Sequence, residues 1–79
     1  MAIHEYDVVA LMTDVVSKHP ETQESITLYR GQVGTVLVDF DSKSFLVDFA
    51  DSNGYTYAME TIPASQLMLL LHEPVMTAV

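Results

Sequence analysis

Two glycines three residues apart, in the stretch Arg30-Gly31-Gln32-Val33-Gly34-Thr35-Val36-Leu37-Val38-Asp39-Phe40, lead directly into a β-branched, alternating run. Glycine reaches φ > 0 without steric cost, so this spacing predicts a tight turn that feeds a strongly curved strand. Small β-barrels turn their corners with that device. The stretch speaks to architecture and is silent on activity.

The rest of the chain fits the same architecture. Residues 6–12 (YDVVALM) read as a first strand, rich in β-branched and apolar types. Residues 13–25 are polar with Pro20 near the middle, which predicts one long loop; a short helix over 14–18 is the other reading. Beyond the glycines, Val36, Val38 and Phe40 should share the inner face, with Thr35, Leu37 and Asp39 opposite. Residues 41–44 have hairpin length, and the next strand should set Phe45, Val47 and Phe49 inward. Asn53-Gly54 closes a second hairpin. For residues 55–62 the inner face stays open: Glu60 argues for Tyr55, Tyr57 and Met59 inside, whereas a barrel corner favours small residues there. Pro63-Ala64-Ser65-Gln66 suits a single 3₁₀ turn, and residues 67–71 (LMLLL) a closing strand. Five short strands joined by turns, with one long loop after the first, predict an all-β, SH3-like barrel.

Length and charge narrow the functions open to it. A chain of 79 residues makes one small domain, which buries only roughly 60% of the surface its unfolded form exposes. With no cysteine, neither a disulfide nor a thiolate metal site can staple it, so a dense core or self-association must supply stability. Eleven Asp and Glu face three Lys and Arg, a formal net charge of −8. Nucleic-acid binding needs cations to displace phosphate counterions, and Lys18, Arg30 and Lys43 form no basic stripe. The same field repels an anionic membrane and attracts a basic protein, unless the acidity serves only solubility. No stretch approaches the ~20 apolar residues of a membrane span, and residues 1–7 carry no secretory signature, so a cytoplasmic protein is expected.

The elements Glu5-x-Asp7-Val8-Val9-x-Leu11, Gly31-x-Val33-Gly34-Thr35-Val36, Phe45-Leu46-Val47-Asp48-Phe49 and Pro63-Ala64-Ser65-Gln66-Leu67 occur in that order. In this the chain resembles the domain-of-unknown-function 4926 family over residues 5–71. The resemblance implies an SH3-like barrel, no catalytic site to carry over, and kinship with small bacterial proteins, some tied to toxin–antitoxin or immunity systems.

Few residues are placed for chemistry. His4, Glu5 and Asp7 could ligate a metal, but a chain terminus is a poor place for convergent ligands, and His19 and His72 cannot be set beside them by spacing. No cofactor or metal is expected. No Ser sits in a Gly-x-Ser-x-Gly elbow, and Gly31-x-x-Gly34 lacks the lysine and helix of a phosphate loop. An enzyme is not expected. The tyrosines Tyr6, Tyr29, Tyr55 and Tyr57 could line a groove for a Pro-rich peptide, yet no Trp floors it.

What remains is surface. Asp39, Asp41, Asp48 and Asp51 gather at hairpin ends, with Asp39 and Asp48 expected side by side on the solvent face. Residues 67–71 should leave alternate apolar side chains outside: either Met68 and Leu70, or Leu67, Leu69 and Leu71. The loop at 13–25 is one candidate to cover them. The function expected is a non-catalytic protein-binding module of antitoxin or immunity type. In it Asp39, Asp48, Asp51 and Glu60 meet a basic partner's cations, and Tyr57 with the outward leucines anchors the contact. The second reading is an accessory or assembly subunit of a larger enzyme; a homo-oligomer is the other partner the apolar strand would accept.

Overall fold

The computed structural model describes residues 2–71. The tail at 72–79, with His72, lies outside the described residues. Seven strands form two sheets: β1 (Val8–Leu11), β2 (Val15–Lys18), β3 (Ser25–Leu28), β4 (Val33–Phe40), β5 (Ser44–Ala50), β6 (Thr56–Pro63) and β7 (Leu67–Leu69). The larger sheet is antiparallel throughout, in the order β6-β5-β4-β1-β7, and β2 pairs with β3 alone. The chain is therefore all-β, and the five strands read from the sequence are the five of the larger sheet. Among the described residues the ladders leave β6 and β7 as its two edges.

The long loop expected at 13–25 is instead the greater part of a β-hairpin, which also excludes a helix at 14–18. Val15 and Val16 supply the β-branched start of β2, and Ile26 and Leu28 answer from β3. Between them the imidazole of His19 takes the part of a turn residue. Its Nδ1 accepts the amides of Glu21 at 3.1 Å and Thr22 at 3.4 Å. The hairpin closes the core: Leu28 is fully buried, and Val15 and Ile26 pack against a cluster of Val9, Leu11, Val36, Phe45, Val47, Phe49, Ala58, Ile62 and Leu67. It does not lie over Met68, which remains 51% exposed.

The two glycines that begin β4 serve different ends. Gly31 makes the turn, at φ +92°. Gly34 allows close approach: a Cβ there would stand 2.6 Å from Val47 Cγ1 and 2.9 Å from the Asp48 carbonyl oxygen. Two β-bulges then reset the sheet. Val36 pairs with Val47 but Val38 with Leu46, so Leu37 is an extra residue on β4. Phe49 pairs with Ala58 but Ala50 with Thr56, so Tyr57 is extra on β6.

The first bulge overturns the faces expected for β4. Val38 shares the outer face with Leu46, Phe40 is exposed, and Asp39 falls opposite Phe45 on the inner side. Phe45, Val47 and Phe49 point inward as expected. On β6 the inner face carries Ala58, Glu60 and Ile62, across from Phe49, Val47 and Phe45. The 3₁₀ turn spans Ala64–Gln66, and β7 follows it as the closing strand.

Candidate functional site

The turn carboxylates are fixed by their own neighbours. In the β4–β5 turn, Asp41 and Ser42 have φ of 55° and 60°, a type I′ pattern matched to hairpin twist. Asp39 Oδ1 accepts the Ser42 amide at 2.6 Å and holds that turn. In the β5–β6 turn, Asp51 Oδ1 accepts from the amides of Asn53 and Tyr55 at 2.9 and 3.1 Å, while Gly54 takes φ +84°. Asp48 Oδ1 accepts from Thr56 Oγ1 at 2.6 Å across the outer face.

Asp39 and Asp48 do not lie side by side, because the Leu37 bulge puts them on opposite faces of the sheet. Glu60 is on the inner face as well. Its Oε1 accepts from the buried Ser17 hydroxyl at 2.6 Å, within a cleft of about 350 Å³ that Val16, Lys18 and Ser25 also line. Tyr57 is half-buried against the core, and its hydroxyl accepts from Gln32 Nε2 at 2.5 Å. The five residues expected to bind thus divide between two faces, and each one but Tyr57 presents a carboxylate already held by a donor.

Charge compensation is sparse. Among the described residues the one approach of a basic side chain to a carboxylate within 4.0 Å is that of His4 Nδ1 to Asp7 Oδ2 at 3.7 Å, and Asp7 also accepts the His4 amide at 2.8 Å. Lys18, Arg30 and Lys43 have no carboxylate within 4.0 Å among those residues. No group of three or more His, Asp or Glu converges as a metal site among them, and no helix is long and apolar enough to cross a membrane.

The apolar last strand resolves into two faces. Leu67 is buried and Leu69 half-buried on the inner side, opposite Leu11 and Val9. Met68 faces outward in one row with Ala10 and Val33, the latter 48% exposed. The next row outward runs Val8, Thr35, Asp48, Met59.

A second cleft, unforeseen in the sequence, adjoins β7. About 300 Å³ in volume, it is lined by Ala2, Ile3, Ser42, Phe45, Ala64, Leu67 and Leu69. Ile3 is the available signal: an apolar residue just ahead of the polar His4-Glu5, set against the core.

These features define a small all-β domain whose surface chemistry lies in pinned carboxylates and an uncharged, apolar sheet edge. The model of the family described as Domain of unknown function (DUF4926) matches residues 5–69, and the chain belongs to that family. No curated protein and no solved structure matches the chain.

Proposed function

We propose that this domain is a non-catalytic protein-binding module whose partner is a basic protein, in the manner of an antitoxin or immunity protein. One observation carries the reading. Asp39, Asp48, Asp51 and Glu60 are each oriented by a hydrogen bond of 3.1 Å or less, with no cation within 4.0 Å among the described residues. Carboxylates fixed in advance lose little freedom when a partner's Lys or Arg arrives, and net charge speeds the encounter. Desolvation, which gives such contacts their strength, would come from the outward apolar row of Met68, Ala10 and Val33.

The test is affinity isolation of the full chain from its native host at low salt, with mass spectrometry of what accompanies it. A small basic protein in stoichiometric amount, released by salt, supports the reading. Recovery of the chain alone, or of an enzyme subunit held through salt, counts against it. Asp39→Asn and Asp48→Asn keep an acceptor oxygen while removing the charge. Unchanged partner affinity in that double variant would exclude the acidic residues as the contact.

A further inference from the structure

Among the described residues β7 is an edge strand without the usual protection. Natural sheets guard their edges with lysine, proline, a bulge or a covering element. Here residues 67–71 are Leu-Met-Leu-Leu-Leu, with neither charge nor proline. In its pairing with β1, the chain turns the backbone groups of Gln66, Met68 and Leu70 toward β1: Gln66 O accepts from Met12 N, and Leu70 N donates to Val8 O. By alternation the N–H and C=O of Leu69 point the other way, where no strand pairs with β7 among the described residues.

The cleft of about 300 Å³ opens on this edge, with Leu67 and Leu69 in one wall and Phe45 and Ile3 in others. Charged residues stand beside it, carboxylates together with Lys43, which adjoins Ser42 and whose carbonyl oxygen accepts the Ala64 amide at 2.9 Å. Ser42 lines the cleft and its amide is held by Asp39, so that carboxylate stands at the same wall. Asp41 adjoins Ser42 in the turn, and Asp7 is tied by hydrogen bond to His4, next to Ile3.

We propose that this edge and cleft take an extended basic segment of the partner by strand addition. The segment's backbone pairs with Leu69. One of its apolar side chains enters the cleft, and Lys or Arg residues two positions away on the same face meet Asp39, Asp41 and Asp7. Main-chain bonds give such a mode its affinity, and the pocket for an alternate side chain gives its selectivity. The inference rests on the protein-binding reading and specifies how that binding is made.

The experiment uses the full chain against a displayed library of random twelve-residue peptides at physiological salt. An enriched peptide is then resynthesised with its alternate amides N-methylated in either of the two phases. The expected result is enrichment of sequences that alternate apolar residues with Lys or Arg. Methylation in one phase then weakens binding roughly tenfold or more, the other phase leaves it nearly unchanged, and exchange of the Leu69 amide slows on binding.

Equal sensitivity in both phases with Leu69 unprotected overturns strand addition, while the enrichment itself leaves the binding-module reading standing. No enrichment above an unrelated control overturns the proposal too, and the isolation of a native partner is untouched by that result. Protection of Leu69 that grows with protein concentration and needs no peptide assigns the edge to a second copy, and the proposed occupant is wrong.

Discussion

The Ser17 hydroxyl donates to Glu60 Oε1 at 2.6 Å and so ties the small β2–β3 sheet to the edge strand of the large one. Glu60 lies on the same side of β6 as Ala58 and Ile62, and Ser17 is 4% exposed. Ser17→Ala leaves that carboxylate in the seam without this donor. The expected loss is about 1–3 kcal/mol, seen as a lower urea midpoint at unchanged slope. Glu60→Gln keeps the acceptor oxygen and should lose less.

Gly34→Ala tests the close approach of β4 to its neighbour β5. The added methyl would meet Cγ1 of the fully buried, β-branched Val47 and the Asp48 carbonyl oxygen, and neither gives way without moving β5. Overpacking of this kind costs about 1–3 kcal/mol. Thermal unfolding should show a clear fall in midpoint, and an unchanged midpoint would mean the two strands separate more easily than their spacing implies.

Asp51 separates the turn's needs from those of a partner. Asp51→Ala removes the acceptor for two amides and should cost about 1 kcal/mol. Asp51→Asn retains that oxygen and should stay within about 0.5 kcal/mol of the parent. If this residue meets a basic partner, the Asn variant keeps the fold and loses affinity, an effect that fades as salt rises.

Tyr57→Phe removes one contact of a relay. Gln32 donates to the Tyr57 hydroxyl, and its Oε1 accepts the Tyr29 amide at 3.0 Å, joining β6 to the turn before β4. The variant should lose about 0.5–1.5 kcal/mol, and hydrogen exchange should quicken at Tyr29. An unaltered Tyr29 rate would show that Gln32 holds the turn without help.

What the sequence discloses divides along a physical line. Asn53-Gly54, the Asp41–Ser42 turn and the inward Phe45, Val47 and Phe49 are legible because turn chemistry and unbroken alternation are local. The β2–β3 hairpin is hidden because its turn rests on an imidazole acceptor among polar residues, with no Asn-Gly or Gly-Gly to announce it. The Leu37 bulge leaves no mark in composition, since pairing with β5 decides it. It reverses Val38, Asp39 and Phe40 together, and with them the expected acidic pair. Glu60 misleads for the opposite reason. A charge ordinarily marks the wet face, whereas Ser17, distant in sequence, makes the inner position tenable. The candidate cleft depends on Ile3 meeting Phe45 and Leu69, a meeting no pattern within either segment encodes.

Both bulges lie on the neighbours of β5, so β5 keeps one phase from end to end while β4 and β6 each hold a spare residue. Loss of a codon within β5 would invert its side chains against two strands at once. Loss of Leu37 or Tyr57 would leave every strand pairing in place and take away the bend, and with Tyr57 its hydrogen bond from Gln32 as well. Length variation in lineages of this chain should therefore collect at the turns and at those two positions, with β5 constant in length.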